Sequence, residues 1–207
     1  MESARLRPEL SRWRSVRRLP ILEDMSAFPN PDPLSGLPHG LRAIAPDFEC
    51  GAVVWTNIDR LMSVNHAHGH MVGDLVIAAV ADAIERSTPL PTYRRGGDEF
   101  LVTIPAVEAD HAGSIADRIQ QAVAAADHLS AHVADGVRAF GNQEFLDHHG
   151  QVVRLWPEGR FDRVLAEQHD VIDAAIRTIT ISVGVATAAK TEDGSIARSR
   201  TQPGRRC

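Results

Sequence analysis

Apolar and polar positions along this 207-residue chain follow two different periods. The stretch GAVVWTNID, residues 51–59, is a short apolar run closed by polar residues, and it predicts a buried strand. Over 70–86, Val72, Val76, Val80, Ala83 and Ile84 recur at helical spacing and predict a helix. The runs PTYRR and FLVTIP then flank Gly96-Gly97. Glycine tolerates the positive φ of a tight turn, so this stretch predicts a β-hairpin. Ala112, Ile115, Ile119 and Val123 mark a second amphipathic helix. Phe161, Val164, Leu165, Ile172 and Ile176 carry a third over 161–176, and RTITISVGVA, residues 177–186, reads as a last strand.

Strand, helix, hairpin, helix and strand in this order make a βαββαβ pattern. It predicts an α/β fold with a ferredoxin-like or polymerase-palm sheet and helices packed on it. Residues 127–160 do not fit the pattern; they are rich in His, Gly and Asp, with a short strand expected at Val152–Trp156. We read 127–176 as containing an insertion before the last strand, inside a domain spanning 31–187. Residues 1–30 read as an extension in which arginines alternate with Leu6, Leu10, Trp13, Val16 and Leu19. A solvated helix or frayed tail explains that pattern; a dimer-forming helix is the sharper alternative. Residues 188–207 are polar and are expected to be disordered.

Composition narrows the function classes. A net charge of −5 excludes bulk electrostatic binding to a nucleic-acid polymer or an anionic membrane. The basic residues are arginine throughout, apart from Lys190. Two cysteines, Cys50 and Cys207, are too few for a disulfide framework, and no zinc-type spacing exists. These features suggest a cytoplasmic chain. The longest strongly apolar run, Leu75 to Ala81, is too short to span a bilayer.

The candidate chemistry lies at the hairpin, where Asp98 and Glu99 follow the two glycines. A tip bearing two acids can face the end of a neighbouring strand, and strand 51–59 closes on Asn57-Ile58-Asp59. Magnesium takes oxygen ligands, usually one or two carboxylates plus substrate phosphates. Phosphoryl and nucleotidyl transfer then proceed by positioning and charge neutralisation. Taken alone, paired acids in a turn are commonly just solvated.

Four spaced motifs add to this. RRGGDEF (94–100) resembles the signature R-x-G-G-D-E-F of the GGDEF family of diguanylate cyclases. NIDRLMSVNHAHGHMVGD (57–74) is similar to its D-x-D-x-F-K-x-x-N-D-x-x-G-H-x-x-G-D, and DPLSGLPHG (32–40) to its D-x-L-T-G-L-x-N-R. TISVGVA (180–186) resembles its final strand. The likeness covers roughly 30–126 and 177–187. It implies condensation of two GTP molecules on two facing subunits, giving cyclic di-GMP and two pyrophosphates. By motif position it implies that Asn65 and Asp74 bind guanine and that Asp98, Asn57 and the Ile58 carbonyl hold magnesium, with manganese as an alternative. Asp98 and Glu99 become the catalytic acids, and Gly96 and Gly97 admit the nucleotide to the backbone. The partners implied are GTP and a second copy of the chain.

The departures are specific. Asn57 stands where the family has a metal-binding aspartate, Met62 where it has a lysine, Leu61 a phenylalanine and His66 an aspartate. His39 and Gly40 replace Asn-Arg. The family's last helix, with its triphosphate-binding lysine and arginine, has no counterpart after Ala186; Lys190 or the arginines at 198, 200, 205 and 206 are the available substitutes. Ser87-Thr88-Pro89-Leu90 replaces the product-inhibition motif R-x-x-D. The alternative reading is therefore a degenerate, catalytically weak or inactive GGDEF domain acting as a GTP-binding or regulatory module. A truncated product is a third. His66, His68 and His70 look like a metal cluster but are not read as metal ligands, and the one with a counterpart in the family, His70, is structural there; Trp55 reads as core, and Asp59 as a second-sphere acid or a strand-end charge.

Overall fold

The computed structural model describes residues 32–38, 50–126, 129–146 and 149–188. The extension 1–30, His39, Gly40, Lys190 and the C-terminal arginines lie outside the described residues. Strand β1 (Cys50–Ile58) alternates as its sequence requires: Ala52, Val54, Thr56 and Ile58 are buried, and Val53, Trp55 and Asn57 are half-buried on the other face. Helices α1 (Leu61–His68) and α2 (His70–Ser87) follow, joined at Gly69, whose φ is 88°. Strands β2 (Thr92–Gly96) and β3 (Glu99–Pro105) form the expected hairpin. A 3-10 turn (Ala106–His111) leads into α3 (Ala112–Ala124). Then come α4 (Ala131–Gly141), a small hairpin of β4 (Glu144–Leu146) and β5 (Val152–Arg154), α5 (Arg160–Glu167), α6 (His169–Thr178) and β6 (Ile181–Thr187).

The main sheet has the order β2-β3-β1-β6, with antiparallel neighbours throughout. This is the α/β architecture expected from the βαββαβ pattern. Helix α2 packs against α3, α4 and α6. That explains the apolar run at 75–81, because a helix surrounded by neighbours is apolar on most sides. Among the described residues no helix is long and apolar enough to cross a membrane.

The described residues within 127–176 carry more helix than the sequence predicts. Val133, Val137, Phe161, Ile172 and Ile176 join the same core as the sheet. Ser130 caps α4 by accepting from the Val133 N–H at 3.2 Å. Trp156 stands edge-on to Phe140 and stacked on Phe161, with centroids 5.8 and 5.7 Å away. The expected helix over 161–176 is two helices, broken at Gln168 (φ −122°, ψ 20°). The expected strand at 152–156 is shorter and pairs with β4. Helix α1 escaped the periodicity because it buries only Leu61.

The sheet face away from the core carries a second small cluster, Tyr93 and Leu101 with Val53 and Trp55 against them. Trp55, expected in the core, lies here instead with the Arg95 guanidinium 4.8 Å above its ring.

Candidate active site

The hairpin tip lies beside the end of β1. Asn57 pairs with Glu99 in the β1–β3 register, and the Ile58 N–H donates to the Asp98 carbonyl at 3.0 Å. Gly97 adopts φ 56° and Gly96 φ 148°. A Cβ on either glycine would meet no atom within 4 Å, so the backbone conformation, and not crowding within the chain, calls for glycine there. Among the described residues no group bonds the Asp98 carboxylate. The Glu99 carboxylate, in contrast, accepts from Arg95 Nη1 at 2.5 Å.

One peptide plane decides where the Ile58 carbonyl points. The Asp59 N–H donates to the Thr180 carbonyl of the segment entering β6, at 2.9 Å. In a trans peptide the carbonyl of the preceding residue points the opposite way, and no described peptide is cis. The Ile58 oxygen therefore faces the β3 side, where Asp98 lies. Asp59 itself is engaged by β6: its Oδ2 accepts from Thr180 Oγ1 and its Oδ1 from Ser182 Oγ, both at 2.6 Å. These bonds hold its carboxyl below the usual range.

The tip is held from behind by a group that motif reading passed over. Arg94 is buried; its Nη1 donates to Asp32 Oδ1 at 2.7 Å, and its Nη2 and Nε donate to the Gly97 carbonyl at 2.7 and 3.2 Å. Asp32 also accepts from the Ser35 N–H and Oγ, at 2.8 Å each. Burial pushes the Asp32 carboxyl up, but Arg94 and Ser35 together outweigh it and leave it lowered. The segment Asp32–Leu37 closes on itself through an Asp32 N–H to Leu37 carbonyl bond of 2.7 Å. The 32–38 motif is thus a brace for the hairpin. The hairpin register sets Arg94 opposite fully buried Phe100. A cation at such a position needs a buried partner.

Asn65 sits on α1 and Asp74 on α2. The Asn65 Oδ1 is buried without a donor and lies so close to Gly73 that a Cβ there would be 1.8 Å away. Asp74 is half-buried; burial raises its pKa, Arg94 and His70 oppose the rise, and Asp32 adds to it. His66, His68 and His70 are exposed, and no group of three His, Cys, Asp or Glu suited to a metal exists among the described residues. The oxygens at the β1 end are one carboxylate (Asp98), one amide (Asn57) and one carbonyl (Ile58). They suit a hard cation that keeps several waters, with a single negative charge to offer. On the β6 side of the β1 end, away from these oxygens, a groove of about 790 Å³ runs between α1 and the α6–β6 junction, lined by Asp59, Arg60, Ser63, His68, Thr178 and Thr180.

A family profile described as "Diguanylate cyclase, GGDEF domain" matches residues 37–138. The chain is a GGDEF-family protein. All the candidate acid, glycine and asparagine positions fall inside the matched segment, whereas α5, α6 and β6 fall outside it. The bifunctional diguanylate cyclase/cyclic di-GMP phosphodiesterase MucR of Pseudomonas aeruginosa is 28% identical over 122 residues, covering 58% of this chain and 18% of MucR. Diguanylate cyclase DgcZ of Escherichia coli is 30% identical over 151 residues, covering 67% of this chain and 49% of DgcZ. The GGDEF chain thus spans about half or less of these relatives' length. Among solved structures, the GGDEF domain of DgcB from Caulobacter crescentus in complex with c-di-GMP aligns at 18% identity over 75% of each chain, with a TM-score of 0.44.

Proposed function

We propose that this GGDEF domain condenses two GTP molecules into cyclic di-GMP, two copies of the chain each presenting one GTP. The observation that carries the reading is the meeting of the Asp98 turn with Asn57-Ile58, fixed by the Ile58 N–H to Asp98 carbonyl bond of 3.0 Å. Asn65 and Asp74 would take the guanine: a carboxylate accepts from N1–H and N2–H, and an amide meets the remaining edge. Adenine would leave both groups unpaired.

In the reaction, each 3′-oxygen forms a bond to the other nucleotide's α-phosphorus, and the bond from that phosphorus to the β-phosphate bridging oxygen breaks. The 3′-hydroxyl proton passes to a base, and pyrophosphate leaves, once per GTP. Asp98, Asn57 and the Ile58 carbonyl would hold the divalent cation, magnesium or manganese, whose charge offsets that developing on the phosphates. Asp98 and Glu99 are the acids at the reacting edge. Gly96 and Gly97 leave the tip open to the nucleotide, and Arg94 keeps that turn in place through the Gly97 carbonyl.

A second reading has a specific observation behind it. With Asn57 neutral and Glu99 paired to Arg95, one free carboxylate remains for the metal, as in a domain that binds GTP without turnover. Incubation of the protein with GTP and magnesium separates the two. Cyclic di-GMP and pyrophosphate that vanish in Asp98→Ala support synthesis. Saturable GTP binding without product supports the binding module, and neither result would defeat both.

A further inference from the structure

We propose that Asp59 is a positioning residue that aims the Ile58 carbonyl at the metal edge, by clasping the end of β1 to the start of β6. The inference rests on the metal–nucleotide reading above and adds a residue to it.

Asp59 makes three hydrogen bonds, all to one short segment. Its N–H reaches the Thr180 carbonyl at 2.9 Å, and its two carboxylate oxygens accept from Thr180 Oγ1 and Ser182 Oγ at 2.6 Å each. Those hydroxyl bonds lie at the surface. Water could satisfy a carboxylate there, so the bonds add little to burying it. Their effect is to fix the 58–59 peptide plane from the β6 side. On the other side the same short stretch is tied to the hairpin by the Ile58 N–H to Asp98 carbonyl bond of 3.0 Å. Immediately afterwards the chain turns through Arg60 at φ 58°, the single non-glycine residue with positive φ among the described residues. A non-glycine residue in that region persists where its surroundings enforce it, and the clasp supplies that enforcement just before the turn. Without the clasp, the 58–59 plane could rotate to relax Arg60, and the Ile58 oxygen would leave the side where Asp98 lies. Thr180 directly follows α6 and its exit residue Ile179. The orientation of the metal edge is therefore tied to a segment outside the part of the chain that the family profile matches.

Manganese binding to the full chain in saturating GTP, read by electron paramagnetic resonance, tests the clasp, alongside metal-free GTP binding by calorimetry. Asp59→Ala should weaken manganese binding about tenfold and leave metal-free GTP binding unchanged. Asp59→Asn should restore most of the loss, because both hydroxyls can rotate to meet an amide. The pair Thr180→Val with Ser182→Ala should reproduce Asp59→Ala, and it provides the same test if Asp59→Ala fails to fold. Amide exchange at residue 59 should quicken in the variants that lose the bonds. Unchanged manganese affinity in folded Asp59→Ala or in the paired variant would overturn the proposal while leaving the metal–nucleotide reading intact. Parallel loss of metal and metal-free GTP binding would overturn it too, by showing a general structural role. Absence of manganese binding in the unaltered protein would defeat the metal reading itself, and the clasp's assigned role with it.

Discussion

At the scale of single residues, the site is a set of oxygens whose charges and neighbours are unequal. Asn57 brings an oxygen to the β1 end without a charge, so Asn57→Asp should tighten magnesium binding in the presence of GTP by about tenfold, as a second carboxylate is worth roughly 1–2 kcal/mol near a surface. Titration calorimetry checks it, and unchanged affinity would place Asn57 away from the metal. Asn65 rests against Gly73, where a Cβ would stand 1.8 Å from its Oδ1. Gly73→Ala should swing the amide away and reduce the preference for GTP over ATP, with the α2 helix itself intact by circular dichroism. Asp74 carries a carboxyl raised by burial. A group raised on folding stabilises the folded chain while protonated, and that contribution is lost as pH rises through the raised value. Guanine needs the ionised form, so GTP affinity should climb over the same rise in pH. Asp74→Asn should abolish that climb in calorimetry, and it should raise the melting temperature of the nucleotide-free protein at neutral pH.

At the scale of elements, the hairpin depends on a brace far away in the chain. Asp32 and Arg94 are 62 residues apart and form a bond of 2.7 Å with both side chains about 10% exposed. Removing one partner of such a pair strands the other charge and typically costs ~3–5 kcal/mol. Arg94→Ala also leaves the Gly97 carbonyl without its two donors. A drop in melting temperature of roughly 10 °C is expected, with a larger loss of GTP binding than an equally destabilising core change such as Ile115→Ala. Equal losses would mean that Arg94 serves only the fold. The signature's glycines and acids could be read from their motif. The brace could not, because a strand pattern does not name the residue that meets Arg94.

At the scale of the whole molecule, described residues between α3 and β6, among them Val133, Val137, Phe161, Ile172 and Ile176, belong to the same core as the sheet. Gly141 illustrates the coupling: a Cβ would stand 1.8 Å from the Trp156 ring, which stacks on Phe161 of α5. Gly141→Ala should therefore cost ~1–3 kcal/mol by overpacking. Unfolding should remain a single transition at a lower temperature, when followed by tryptophan fluorescence and by circular dichroism together. Two separated transitions would show that the segment folds apart from the sheet.

The order of strands and long helices was legible in the chain alone, because burial leaves short apolar runs bounded by polar or turn residues at β1 and β3 and the helical period on α2 and α3. The turn at Gly96-Gly97 was legible for a related reason, since its backbone angles admit few other residues. The remainder depends on partners brought together by folding. Helix α1 shows a single buried residue, too little for a stripe, and the break at Gln168 leaves the apolar spacing of 161–176 almost unchanged. Asp32 meets Arg94, and Asp59 meets Thr180 and Ser182, across 62, 121 and 123 residues respectively. Local pattern records which face a residue turns to the core. Only the assembled sheet, with β1 held between β3 and β6, decides which distant side chain waits there.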